Sequence, residues 1–382
     1  MLKTKDSDLK QLKAELMSLA SNTSNQTRGL SPEMFLSEEL AAVELDQIFY
    51  REWSCIGRED DIPNVGDFVT FKVGDQPIIV VRLEDKSIRA MSNVCRHRMM
   101  RLVQGNGNTR QFSCPYHGWT YSLDGNLVGA PHMGCNLNFS KEKFMLPTLK
   151  CETWHGWIYV SLSNDAAPIV ERLKKLDTMV QPYEMEHYVT VFVEDLEWNT
   201  NWKLLCQNFM EGYHLPIAHR STVGRNFPVG ETKFDSDGAS EGFTYQYFLK
   251  PNDMNFGVAH PMNTRLTDNL RRSSVMPTIF PSHMYVLAPD HLWYLSLQPN
   301  GVGKVRIRYG AALAPEVMEH TEDKSNLLSQ FKELLDKTQE EDRLLVENIF
   351  ENIRGPMAMA GPLSWLEREV HEFTQYLARK IA

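Results

Sequence analysis

Two short stretches of this sequence bring together side chains that can do chemistry. "CQNFMEGYHLPIAH", residues 206–219, sets the carboxylate of Glu211 and the imidazoles of His214 and His219 among apolar neighbours. Upstream, "CRHRMM" and "CPYHGW" supply Cys95, His97, Cys114 and His117. Thiols next to imidazoles point to metal binding or catalysis rather than to packing.

In the downstream stretch, two histidines and a carboxylate bound on one face of a metal leave positions open for oxygen and substrate. His214 and His219 would splay apart on a regular helix. A helix broken near Pro216 lets the second imidazole swing back toward the first. Two histidines near a helix end also suit a structural role. The upstream spacing is C-x-H, then residues 98–113, then C-x-x-H, so each pair can sit at the tip of a β-hairpin loop. Four such ligands can close a tetrahedral zinc site. They equally suit a Rieske [2Fe–2S] cluster, in which one iron keeps thiolates and the other takes imidazoles. A one-residue gap in the first pair is unusual for zinc, and no helix carrying H-x₃₋₅-H follows.

The elements that must position these groups fall into three stretches. Residues 1–45 read as helical, with "SPEMFLSEELAAVELDQIFYREW" a capped amphipathic helix starting near Ser31. Over 46–165, runs such as "DFVTFKV", "PIIVVRL", "SIRAMSNV" and "GWIYVSL" are separated by Gly, Asp and Asn, the pattern of a small antiparallel β domain. "DGN" at 124–126 predicts a hairpin turn. Over 166–382 the pattern is mixed. "NWKLLCQNFMEGYH" has helical spacing, "YVTVFVEDLEW", "GFTYQYFLK", "HMYVLAP", "LWYLSLQP" and "KVRIRYGAAL" read as strands, and "SNLLSQFKELLDKTQEEDRLLVENIFENI" is strongly helical. The expected architecture is α+β: a small antiparallel β domain inserted into an α+β catalytic domain whose central antiparallel sheet is flanked by helices, a helix-grip-like arrangement.

Composition sets the outer bounds. The 382 residues are 42% apolar and 23% charged, with a net charge of -9 and no cluster of Lys or Arg. Phosphate neutralisation, and with it nucleic-acid binding, is not expected. A negative balance is compatible with a small cationic substrate. No apolar run approaches the length of a membrane span, and the first residues lack a signal-peptide pattern. Six irregularly spaced cysteines do not form a disulfide framework. The expected location is the cytoplasm, away from any membrane.

The C-x-H…C-x-x-H pair with "CPYHGWTYSLDG" resembles the Rieske domain of the Rieske non-haem iron oxygenases, in their large (α) subunits. The resemblance implies Cys95 and Cys114 as ligands of one iron and His97 and His117 as ligands of the other. "NWKLLCQNFMEGYHLPIAH" is similar to the iron-binding segment of the same family, N-W-K…(E/D)-N-x-x-(D/E)-x-Y-H-x-x-x-x-H. It implies His214 and His219 as ligands of a mononuclear Fe(II), with Asn208 and Tyr213 as neighbours of that site. The third ligand is a carboxylate further on. "KTQEEDRLLVENIFENIRG" matches that region, with Asp342 the choice and Glu341 and Glu347 the alternatives. Glu211 stands where most of the family has Asp. The resemblance implies that it joins His214 to the partner subunit's His117, in a head-to-tail homotrimer.

The same resemblance implies the activity. Electrons come from NAD(P)H through a separate flavin and iron–sulfur reductase, since no Gly-rich dinucleotide fingerprint occurs in this chain. The [2Fe–2S] cluster passes them singly to the mononuclear iron, where O₂ meets the substrate. Glu211 is similar to the branch acting on carnitine, betaines and other quaternary amines. Aromatics at Tyr245, Phe248, Phe256, Phe280, Tyr285, Trp293 and Tyr294 could cage such a cation. The expected substrate is therefore a small N-methylated or quaternary ammonium compound that is hydroxylated or demethylated. The alternatives are an aromatic ring-hydroxylating oxygenase, a Rieske electron-transfer protein without oxygenase activity and a zinc-stabilised binding protein.

Overall fold

A computed structural model describes residues 9–227, 229–234 and 242–381. Contacts divide the chain into Met1–Ile48 with Val170–Ala382, and Phe49–Ile169. The chain therefore leaves the first unit, builds the second, and returns.

The second unit is all antiparallel. One sheet combines β1 (Ser54–Arg58), β2 (Asp67–Val73), β3 (Gln76–Arg82), β4 (Ile88–Ser92) and β5 (Asn106–Asn108) with β9 (Thr148–Trp154) and β10 (Trp157–Ser161), in the order β1-β10-β9-β4-β3-β2-β5. Between them, β6 (Gln111–Ser113), β7 (Thr120–Ser122) and β8 (Leu127–Gly129) form a small sheet of their own. Its β7–β8 hairpin turns through Asp124–Asn126, with Gly125 at φ +91°. Ile79, Val81, Met91, Phe112, Trp119 and Tyr121 close a core beneath the loops that carry Cys95 and Cys114.

The first unit is α+β. Its sheet runs β11-β17-β16-β15-β14-β13-β12, all pairs antiparallel. The strands are β11 (Val189–Trp198), β12 (Thr232–Lys233), β13 (Phe243–Leu249), β14 (Ser273–Ile279), β15 (His283–Leu287), β16 (His291–Pro299) and β17 (Val305–Leu313). Around it lie α1 (Leu9–Ser21), α2 (Pro32–Leu36), α3 (Glu38–Glu44), α4 (Ile169–Val180), α5 (Trp202–Met210), α6 (Leu215–Ala218), α7 (Pro315–His320), α8 (Lys324–Asn352) and α9 (Arg368–Ile381).

Four details differ from the sequence reading. The helix expected from Ser31 is two helices, because Ser37 is extended and its hydroxyl caps the second one at Leu40 N. Residues 22–31 are not helical. α5 stops at Met210, before Pro216, which instead occupies the first turn of α6, where proline fits. The strand β14 is absent from the sequence reading, and it has Pro277 inside it, a residue that sheets confine to special positions. Its recorded pairs with β15 are at Val275, Thr278 and Ile279, so the missing N–H falls where that ladder is interrupted.

One buried ion pair ties the N-terminal helices to α5. Glu44 on α3 and Lys203 on α5 are both 2% exposed, and Glu44 also accepts from Trp202 Nε1 at 2.9 Å. Removing the acid would strand an ammonium away from water. Glu44→Ala is expected to lower unfolding stability by about 3–5 kcal/mol, measured by urea denaturation. A loss under roughly 1 kcal/mol, the range of an exposed pair, would contradict this assignment.

Candidate metal centres

The two cysteine loops share one backbone design. Cys95 N donates to Met100 O at 2.8 Å and Met99 N to Cys95 O at 3.1 Å. Cys114 N donates to Trp119 O at 2.7 Å and Gly118 N to Cys114 O at 3.0 Å. The fourth residue after each cysteine is left-handed, Met99 at φ +57° and Gly118 at φ +71°. Glycine takes that conformation freely, whereas Met99 holds it at some cost in strain.

These loops sort the candidate ligands by type. Cys95 and Cys114 are buried, whereas His97 and His117 are exposed, with ring centroids 4.7 Å apart. His97 stacks on the buried Trp119 at 4.8 Å, and Tyr116 lies over His117 at 3.7 Å. Tyr121 Oη lies 3.4 Å from Cys95 Sγ and accepts from Arg96 N. Burial pushes the Cys114 thiol up, so a thiolate there needs a cation. Among the described residues, the set of three or more ligand atoms lying within 4.8 Å of one another is elsewhere, at the other centre. A single tetrahedral zinc would require all four ligands to converge on one point. Thiols inside and imidazoles outside instead match a diiron cluster with one iron on each side.

The second centre is built where α5 ends. The Asn201 side chain caps the helix at Lys203 N, and Glu211 turns the chain extended at φ -118°, ψ 154°. Its carboxylate then gathers three donors: Tyr213 N, His214 N at 3.3 Å and His214 Nδ1 at 2.5 Å. Beyond α6 the chain folds tightly behind His219. Gly224 N donates to His219 O, and a Cβ on Gly224 would lie 2.2 Å from Leu215 O. His219 has its own carboxylate. Glu341 accepts from His219 Nδ1 at 2.7 Å, Thr222 Oγ1 at 2.5 Å and Ser221 Oγ at 2.6 Å.

With both Nδ1 protons donated to glutamates, both Nε2 atoms present lone pairs to a common point. Asp342 Oδ1 lies 3.0 Å from His219 Nε2 and 3.6 Å from His214 Nε2. Burial alone would push the His219 imidazole down, but Asp342 and Glu341 outweigh it and hold it above the usual range. The donor set therefore fits a cation, and His214, His219 and Asp342 are the residues that would hold it.

Glu341 lies behind His219 as its Nδ1 hydrogen-bond partner and outside the His214–His219–Asp342 set, and Glu347 accepts from Asn199 N at 2.8 Å, away from the centre. α8 buries Phe331, Leu335, Thr338, Gln339, Asp342, Val346 and Phe350. Asp342 lies on that buried seam, and Glu341 and Glu347 flank it. Asn208 Nδ2 touches the centre directly, 2.9 Å from Asp342 Oδ1 and 3.2 Å from His214 Nε2. The Tyr213 side chain stays at the surface, and its backbone N–H is what serves Glu211.

The aromatic residues proposed as a cage are mostly core. Phe248 packs on Phe227, Phe280 stacks on Tyr376, and Trp293 meets Phe209 of α5. Phe256 and Phe227 do flank a cation, the buried Lys250 ammonium, 5.5 Å from each ring. A cleft of about 720 Å³ opens beside Glu211, His214 and Asn208 instead, lined by Phe35, Leu345, Met359 and Glu367. No local motif marks Phe35, Met359 or Glu367, since they come from distant parts of the chain.

Two family models match. Residues 52–178 match the Rieske [2Fe-2S] domain, and residues 185–382, more than half of the chain, match the catalytic domain of the ring hydroxylating alpha subunit. The chain is 33% identical over 192 residues to the glycine betaine monooxygenase oxygenase subunit of Pseudomonas aeruginosa, covering 50% of this chain and 44% of that one. It is 26% identical to the chloroplastic choline monooxygenase of Arabidopsis thaliana, over 89% of this chain and 79% of that one. The chain thus spans about half the length of the first of these relatives. In fold it is similar to the quaternary ammonium Rieske monooxygenase CntA solved with L-carnitine, with a TM-score of 0.80, 21% identity, and coverage of 96% and 98%.

The two glutamates give a direct test of this geometry. Glu341→Gln is expected to weaken mononuclear iron binding about 10–100-fold, measured by Fe(II) titration, while leaving the visible spectrum of the [2Fe–2S] cluster intact. Unchanged iron affinity would remove Glu341 from the site.

Proposed function

Because the chain belongs to the ring hydroxylating alpha subunit family and carries a Rieske [2Fe-2S] domain, we propose that it is the terminal oxygenase of a multicomponent system. The observation that carries this reading is the convergence of His214, His219 and Asp342, with each histidine backed by its own glutamate. An electron carrier alone has no use for a second, open donor set.

The bound irons would supply electron transfer and O₂ activation. The chain's own residues prepare that chemistry. Glu211 and Glu341 hold the Nδ1 protons and thereby fix the tautomers. Asn208 places an amide N–H against the candidate ligand atoms, and Phe35, Leu345 and Met359 give the cleft beside them an apolar side. Electrons would come from a separate NAD(P)H-dependent flavin and iron–sulfur reductase.

Two surfaces support a head-to-tail homotrimer. Around the cysteine loops, Met99, Met100 and Tyr116 are exposed together with Arg96, Arg98 and Arg101. Around the cleft, Leu345, Ile349 and Met359 are exposed beside the carboxylates of Glu211 and Glu367. Basic and apolar meets acidic and apolar, the complementarity that selects one docking register. In that assembly Glu211 joins His214 to the partner subunit's His117.

The substrate reading is a small N-methylated or quaternary ammonium compound, oxidised at the carbon next to nitrogen with loss of an aldehyde fragment. The names of the glycine betaine and choline monooxygenases support it. So does Glu211, in the place where most of the family has Asp. A cytoplasmic location is in keeping with the family, and no helix among the described residues is long and apolar enough to cross a membrane.

Anaerobic substrate screening with a reductase, followed by O₂ addition and product mass spectrometry, tests the activity. Formation of a dealkylated amine plus aldehyde supports the reading, and ring hydroxylation with no amine turnover would replace it. His214→Ala is expected to keep the cluster's colour and abolish turnover. Mixed oligomers of His214→Ala with His117→Ala should recover part of the activity, because one intact electron path crosses between copies. Recovery at the level of either parent would rule out transfer between subunits.

A further inference from the structure

The face of β13 and β14 that carries Thr244 and Gln246 is fully buried and partly polar, and β13 packs on α9. Thr244 pairs with Thr278, and Gln246 and Phe248 lie opposite Met276 and Ser274. Thr244, Gln246, Ser274 and Thr278 are each 0% exposed. Two contacts show which way this face looks. Thr244 Oγ1 donates to Glu372 of α9, and Gln246 Nε2 donates at 2.8 Å to Met210 O, at the end of α5 just before Glu211. Gln246 Oε1, Ser274 Oγ and Thr278 Oγ1 have no protein partner among the described residues.

Glu369, in the first turn of α9, has no exposed surface, and neither of its carboxyl oxygens has a protein partner among the described residues. Burial pushes its carboxyl well above the usual range, and the nearby charges of Glu372 and Glu211 push it the same way, with Arg368 opposing. Glu367, on the turn leading into α9, is raised as well, by burial and by Glu211. α1, packed on another side of α9, buries Leu12, Leu16 and Leu19. The strand face supplies hydroxyls and an amide but no charge. A layer of buried groups that lack protein partners is a place for internal water.

We propose that Glu369 and the hydrated layer between α9 and the β13–β14 face form a proton reservoir for the iron site. This rests on the oxygenase reading above. In that reaction, substrate C–H, O₂, two electrons from the reductase and two protons give C–OH and water. One of those protons leaves the Glu369 carboxyl, travels through the layer past Gln246 to the end of α5, and is replaced from solvent. Glu369 touches no ligand, so it is a proton-holding and positioning residue. Its value lies in being neutral, close to Glu211 and screened from bulk water.

Infrared spectroscopy tests this without turnover. The carbonyl stretch of a neutral carboxylic acid should be present at neutral pH, shift in D₂O, disappear in Glu369→Gln and persist in Glu372→Gln. Melting supplies a second readout. A raised carboxyl takes stability away as pH climbs above the ordinary carboxylate range. Glu369→Gln should therefore melt higher than wild type, with a gap that widens from pH 5 to pH 8. In turnover, Glu369→Gln should bind both metals but yield several-fold less product per O₂ consumed, the balance appearing as hydrogen peroxide. A spectrum unchanged in Glu369→Gln, or wild-type coupling in that variant, overturns the reservoir. Failure of the oxygenase reading is distinguishable, because the spectrum and the melting gap do not depend on any substrate.

Discussion

The candidate iron site depends on one arrangement: His214 and His219 each donate the Nδ1 N–H to a glutamate of their own. A neutral imidazole has one donor and one acceptor nitrogen, so fixing the first determines the second. Glu211 fixes His214 and Glu341 fixes His219, leaving both Nε2 lone pairs to meet Asp342. Two separate features of the chain produce this. α5 must stop early enough for Glu211 to turn back on His214, and Gly224 must let the backbone pass close behind His219. Moving either would leave the same residues present and the lone pairs misdirected.

How far the sequence discloses this follows from how local each requirement is. Thiolates and imidazoles at the tips of short loops are specified by neighbours within a few positions, so Cys95, His97, Cys114 and His117 are legible in the chain. His214 and His219 are legible for the same reason. The roles within "EED" at 340–342 are not, because any of these carboxylates could ligate. The helical period resolves them, since Asp342 falls in register with Leu335 and Val346 on the buried side of α8. Glu341, one residue earlier, is rotated toward Ser221 and Thr222.

The misreadings also have physical sources. Proline was expected to break a helix at 216, but the carboxylate at 211 breaks it first, by taking backbone N–H groups for itself. Strand β14 was not among the expected strands; it holds Pro277, which the sheet tolerates where the β14–β15 ladder is already interrupted. Aromatic richness suggested a cation cage, yet most of those rings fill the core. The cation held between Phe227 and Phe256 is Lys250, whose ammonium donates to Phe256 O at 2.8 Å. Burial lowers it to about 8. A sequence shows that rings are present, but not whether the chain already supplies their guest.

The same distinction between composition and placement applies to the polar layer under α9. Threonine, serine and glutamine in strands ordinarily mark a solvated face, and a glutamate in the first turn of a helix ordinarily complements its dipole. Here both are enclosed. Each buried polar group left without a partner costs about 1–3 kcal/mol, so such a layer would be replaced by apolar side chains if packing were its only task. Part of the neighbouring strand β15 shows that alternative, with Met284, Val286 and Leu287 fully buried. Gln246, by contrast, stays polar where it meets the end of α5, donating to Met210 O just before Glu211. Proximity of that kind is what a reaction consuming protons in a water-poor site requires. It also accounts for Glu369 being an acid rather than the glutamine that packing alone would favour.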